Sequence, residues 1–247
     1  SLQSCFVAKE YEREQAPVDA LKYRSENIAT DTTDFAKVEW REIFTDAVLQ
    51  NHISDALQNN QDIRIALEQI KAANAFFKQG KAGYFPSLNV NGQYTHQELA
   101  PNSQFGSFFS SIDQYELNAG LSWEADVWGK ITSQERAARA NYLQSQAAHK
   151  AVKTSLIAQV ATAYYQLLAL DQQIVITRET VENRKNSLEV TKALKSAGDV
   201  TSVAVYQTKA QLHTAEAILI DLKNEARLLE NTLSILKGKN PQEIKRT

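Results

Sequence analysis

The spacing of apolar residues along this chain changes period twice, and each change predicts a different element. Helical spacing begins near Asp46 and is regular from Ile53. Ile63, Leu67, Ile70, Asn74 and Phe77 then recur at alternating steps of four and three, a single stripe down one helix face. That helix is expected to stop between Gly80 and Gly83, with Pro86 just beyond. After Pro86 the period is two. Leu88, Val90, Gly92 and Tyr94 alternate with Asn89, Asn91, Gln93 and Thr95, and Tyr115, Leu117, Ala119, Leu121 and Trp123 alternate with Glu116, Asn118, Gly120, Ser122 and Glu124. Two strands of about nine or ten residues each are predicted. The stretch Ala100 to Asp113 between them, rich in Ser, Asn, Phe and Gly, reads as a long loop.

Helical spacing then returns and does not let go. Neither glycine nor proline occurs between Gly129 and Gly198, or between Gly198 and Gly238. At about 1.5 Å per residue the first run is a helix of roughly 100 Å, too long to sit inside one globule. Val160, Leu167, Ile174, Val181 and Leu188 recur every seventh residue, with Ala163 and Leu170 between them. Leu212, Ala215, Leu219, Leu222, Ala226, Leu229, Leu233 and Leu236 continue a heptad seam in the second run. A seven-residue period predicts left-handed supercoiling. Gly198 is suited to the left-handed turn after the first helix, and Thr201 or Ser202 to capping the second, so an antiparallel helical hairpin is expected. Alanines such as Ala138, Ala147, Ala151 and Ala158 fit either close helical neighbours on both flanks or simple helix propensity.

The two strands have two readings. One is a small sheet with one face on a soluble core; but an isolated hairpin is marginal in water, and no other segment offers strong strand partners. The other is a pair of transmembrane barrel strands, apolar toward lipid and polar toward a lumen, which one hairpin cannot close alone. In that case Asn89, Asn91, Gln93, Glu116 and Asn118 face the pore, and Tyr94, Tyr115 and Trp123 form an aromatic girdle.

Composition narrows the function classes. With 27 basic and 29 acidic residues and a formal charge of −2, the chain has no basic surplus for nucleic acid. No apolar run approaches a transmembrane helix. The lone cysteine, Cys5, excludes an internal disulfide or a multi-thiolate metal site. Its neighbours Leu2, Gln3 and Ser4 resemble the end of a lipoprotein signal peptide, so Cys5 is a candidate lipidation site; an unmodified thiol is the plain alternative. His52, His96, His149 and His213 show no ligand spacing, and no glycine-rich phosphate loop occurs. No catalytic residue, metal or cofactor is expected. The absence of methionine predicts a processed or trimmed N-terminus.

In order, the chain reads as tail, helix, strand, loop, strand, very long helix, glycine tip and returning helix. With that order, several segments resemble the TolC family of outer membrane efflux proteins, in particular its lipoprotein branch related to OprM. They are Trp40-Arg41-Glu42-Ile43-Phe44 with Asp46, Tyr84-Phe85-Pro86-Ser87-Leu88, Trp123 through Lys130, Val160-Ala161-Thr162-Ala163-Tyr164, and Ala197-Gly198-Asp199-Val200-Thr201. Ala204 departs from the pattern, since an acidic residue often stands there. The resemblance runs from about Trp40 to Pro241 and matches one of the family's two repeats, so the chain reads as a first half.

The resemblance implies a mainly α fold with a β-hairpin: long antiparallel coiled-coil helices of an α-barrel plus transmembrane β-barrel strands. The segments would be a lipoprotein tail (1–45), a first α-barrel helix (46–85), a strand pair with outer loop (86–126), a long helical hairpin (129–238) and a linker to a second repeat (239–247). It implies a passive export duct, homotrimeric at full length and lipid-anchored in the outer membrane of a Gram-negative bacterium. Gly198, Asp199, Val200, Thr201 and Ser202 would dock a periplasmic adaptor that joins the duct to an inner-membrane pump of the resistance-nodulation-division type. A periplasmic adaptor or coiled-coil scaffold is the alternative class.

Overall fold

A computed structural model describes residues 38–102, 108 and 110–247. Cys5 and most of the expected 1–45 tail lie outside the described residues. The chain divides into two units, Ser1–Ile43 and Phe44–Thr247. In the first, the described residues form one helical turn, α1 (Trp40–Ile43), where the Arg41 guanidinium lies 4.4 Å over the Trp40 ring.

The second unit contains α2 (Ala47–Asn59), α3 (Gln61–Ala82), β1 (Ser87–Glu98), β2 (Ser111–Ser122), α4 (Lys130–Ala197) and α5 (Ser202–Leu236). The predicted first helix is therefore two helices. Asn60 separates them: its extended backbone (ψ 136°) ends α2, and its side-chain oxygen accepts from the Asp62 and Ile63 amides to start α3. Its amide donates to the Leu236 carbonyl at 2.9 Å, tying the break to the end of α5. Asp46 caps α2 through the Val48 and Leu49 amides, where helical spacing was expected to begin. Within α3, Ile63 is buried as expected, but Leu67 is 42% exposed and Ala66 is buried instead.

The predicted rods are present. α4 has 68 residues and α5 has 35, and they pack antiparallel on the seam read from the heptads. Val181, Leu188, Leu212 and Ala215 are buried together, with Val205 and Leu219 packed against them. Gly198 has φ +89° and ends α4 with two backbone hydrogen bonds, its own N–H to the Lys195 carbonyl and the Asp199 N–H to the Leu194 carbonyl, both 3.0 Å. Thr201 occupies the cap position of α5, but its side chain makes no capping hydrogen bond. At the other end of α4, Gly129 (φ +71°) offers no side chain, and Asp126 supplies the cap from outside the helix. Its carboxylate accepts from the Ile131 and Thr132 amides and the Thr132 hydroxyl.

α3 covers the first part of α4 and α5 the last, and α2 joins them near the middle. Leu49, Ile53, Ala56, Val160, Tyr164, Leu167 and Leu233 there have no solvent exposure. A polar rim surrounds this junction. The Lys237 ammonium donates to His52 Nδ1 at 2.9 Å and sits 3.3 Å from Asp55, which also holds Lys239 at 2.7 Å. With Nδ1 accepting, His52 is neutral and its Nε2–H donates to the Lys245 carbonyl at 2.9 Å. The segment read as a linker, 239–247, is thereby strapped onto the helices. Ile244 is buried, Arg246 pairs with Glu230 and Asp171, and Thr247 meets Tyr164 and Asp46.

The strap makes stability respond to acid. Burial, then the nearby Lys237 charge, holds the His52 pKa below 6.5, while hydrogen bonds hold Asp46 (chiefly from Thr247) and Asp55 (chiefly from Lys239) below 3.8. Lowered folded-state values mean stabilisation that is complete above the unfolded value and is lost as pH falls through the folded one. Thermal unfolding of the full-length protein is expected to weaken in two steps, below pH 6.5 and again below pH 3.8. His52→Asn should remove the first step alone.

Two glycines give a second contrast. A Cβ on Gly198 meets nothing within 4 Å, whereas one on Gly238 (φ +63°) would run into the Asn59 carbonyl oxygen. Gly198→Ala should cost about 1–2 kcal/mol from backbone conformation alone. Gly238→Ala should cost more, because the strap must move. Denaturation midpoints of the two variants will show the order.

Candidate duct surfaces

Twelve residues of β1 pair antiparallel with twelve of β2. The loop is shorter than expected, because β2 starts at Ser111 and takes in Ile112 to Gln114, which alternation of apolar residues did not mark. Cross-strand side chains extend the ladder there. Asp113 faces His96, whose Nδ1 lies 2.6 Å from its carboxylate, and Tyr94 donates to the same carboxylate at 2.8 Å.

Register decides which candidates share a face, because residues directly opposite point the same way. Leu88 pairs with Leu121, Val90 with Ala119, Gly92 with Leu117 and Tyr94 with Tyr115. Trp123 continues this apolar face by alternation. On the other face Asn89 pairs with Gly120, Asn91 with Asn118 and Gln93 with Glu116. All five residues expected to face a pore are thus gathered on one side, and the three expected girdle residues on the other. Asn118 donates to the Glu116 carboxylate at 2.6 Å.

Every residue of both strands is exposed. Leu117 is 79% exposed and Leu121 71%, so no described residue covers the apolar face. The hairpin is bounded by further exposed aromatics. Phe85 and Trp123 stand where it leaves the helices, and Trp128 follows at 85% exposure. The Trp123 indole N–H is satisfied by the Tyr84 carbonyl at 3.2 Å, leaving its ring outward. Sequence alternation did not single out Phe85 or Trp128, because both fall in turns.

At the far end of the helical hairpin, Gly198, Asp199, Thr201 and Ser202 are exposed and Val200 is half-buried. In the first turn of α5 the Ala204 N–H donates to the Thr201 carbonyl. The tip is therefore a short backbone turn with most of its side chains in solvent. Among the described residues, no grouping of three or more His, Cys, Asp or Glu side chains could hold a metal ion, and no helix is long and apolar enough to cross a membrane.

Comparison with known proteins agrees with this architecture. The probable outer membrane lipoprotein SilC of Salmonella typhimurium is 28% identical over 233 residues, which is 94% of this chain and 50% of SilC. The cation efflux system protein CusC of Escherichia coli K12 is 28% identical over 240 residues, 96% of this chain and 51% of CusC. A crystal structure of a membrane protein from Pseudomonas aeruginosa superposes with a TM-score of 0.69 at 26% identity, covering 94% of this chain and 51% of that one. The chain spans about half the length of the curated relatives it matches. The model of the family described as outer membrane efflux protein matches residues 52–239, from α2 through both strands to the turn after α5, and the chain belongs to that family.

Proposed function

We propose that this chain is one helix–strand–strand–helix unit of a passive export duct, and that it moves solutes without chemistry on them. The observation that carries the reading is the hairpin, exposed on both faces: from Leu88 to Tyr94 and from Tyr115 to Leu121 one face is aliphatic and aromatic, with His96, Glu98 and Asp113 beyond the tyrosines at its loop end, and the other carries amides, hydroxyls and a carboxylate. In water such a sheet leaves its apolar face uncovered. In a closed barrel that face meets lipid and the polar face meets a water-filled lumen.

The dimensions support this. From Tyr115 to Trp123 the strand advances about 26 Å at 3.3 Å per residue, and a tilt of about 40° makes that roughly 20 Å of depth. This approaches the roughly 25 Å apolar band of an outer-membrane barrel, with Tyr94 and Tyr115 at one border and Trp123 at the other. α4, at about 1.5 Å per residue, then carries the wall roughly 100 Å away from the membrane. The second seam that α4 and α5 each need for a wall is supplied by further helices when full-length chains assemble as a homotrimer. Lipid on Cys5 adds a membrane anchor.

In this reading the Gly198 to Ser202 tip docks a periplasmic adaptor, which connects the duct to an inner-membrane pump of the resistance-nodulation-division type. The exported solute is chosen by the pump. Purified full-length protein in a planar bilayer is expected to give single-channel conductance; a well-folded preparation with none would contradict the reading. A photocrosslinker at Asp199 or Thr201 should capture the adaptor in assembled pumps, and a crosslinker at Glu179, about five helical turns away, should not.

A further inference from the structure

The polar face of the hairpin carries one charge. On β1 it presents Ser87, Asn89, Asn91, Gln93, Thr95 and Gln97; on β2 it presents Ile112, Gln114, Glu116, Asn118, Gly120 and Ser122. Glu116 alone among these is ionisable. The other charged or ionisable side chains of the ladder, Tyr94, His96, Glu98, Asp113 and Tyr115, alternate onto the opposite face, and Glu124 beyond the end of β2 is held by Lys130 at 2.9 Å. Glu116 sits near the middle of the strands, opposite Gln93. It has no cation partner among the described residues, and Asn118 fixes it by donating to Oε1 at 2.6 Å.

We propose that Glu116 makes the membrane section of the duct favour cations over anions. The proposal rests on the duct reading above. One such carboxylate per chain, repeated by the symmetry of the assembly, forms a ring of negative charge at one depth of the lumen. Rings of this kind attract cations and repel anions, and the low-dielectric barrel wall strengthens the effect. The neighbouring amides and hydroxyls carry no net charge, so the ring biases ions without closing the passage to neutral solutes. Asn118 acts as a positioning residue: its amide donates to the carboxylate without neutralising it.

Reversal potentials of the full-length protein in planar bilayers under a potassium chloride gradient test this. The unaltered channel should be cation-favouring. Glu116→Gln should lower the potassium-to-chloride permeability ratio about twofold toward unity, and Glu116→Lys should carry it below one. Glu98→Gln, on the opposite face of the same hairpin, should leave the ratio unchanged. To separate charge from assembly, Glu116→Cys can be charged in the open channel: a sulfonatoethyl group should restore cation preference and a trimethylammonium group should invert it. Conducting Glu116→Gln channels with an unaltered ratio would overturn the proposal and leave the duct standing. Absence of conductance in the unaltered protein would overturn the duct reading, and this proposal with it.

Discussion

Everything in this unit depends on how the middle of α4 is held. A helix of 68 residues has two ends and no fold of its own. Near Tyr164 it is gripped from two sides, by Leu49, Ile53 and Ala56 of α2 and by Leu233 at the end of α5, all fully buried. Burial of each large aliphatic side chain is worth about 1.5–3 kcal/mol, so a few contacts at one level are enough to fix three helices against each other. The polar rim closes the grip. Tyr164, Asp46 and Thr247 meet within 3.0 Å, and the Lys237 and His52 pair joins α2 to the residue after α5. From that level α4 runs one way to the strands and the other way to the tip.

How much of this could be read from the sequence follows from the range of the forces involved. The seam of α4 and α5 was legible because a seven-residue period reports a partner directly: Val160, Leu167, Val181 and Leu188 are all buried. The faces of the hairpin were legible for the same reason, and the register placed the two patterns opposite each other. Gly198 was legible because a lone glycine between two long helical runs has few other uses. The break at Asn60 was not, since its amide is satisfied by Leu236, 176 positions away. The first residues of β2 were also missed, because Asp113 is held in the ladder by His96 and Tyr94 rather than by apolar alternation. Leu67 misled because helical spacing gives a stripe but not the edge at which a smaller residue, Ala66, packs better.

In the proposed duct, function is a property of surfaces and lengths. The same alternation that makes the hairpin a poor soluble sheet suits it to the barrel wall proposed for it. The length of α4 sets how far the hairpin stands from the tip, and the αL turn at Gly198 returns the chain within a few residues, keeping that end narrow. The exposed Phe85, Trp123 and Trp128 lie where the strands meet the helices, the level at which a membrane surface would cross the unit.

The central claim is that one face of this hairpin meets lipid and the other meets water. Cysteines placed singly from Gln114 to Leu121 in the full-length protein, and challenged in outer membranes with a charged, water-soluble thiol reagent, test it directly. The account predicts reaction at 114, 116, 118 and 120 and protection at 115, 117, 119 and 121. Equal labelling of both sets would contradict it.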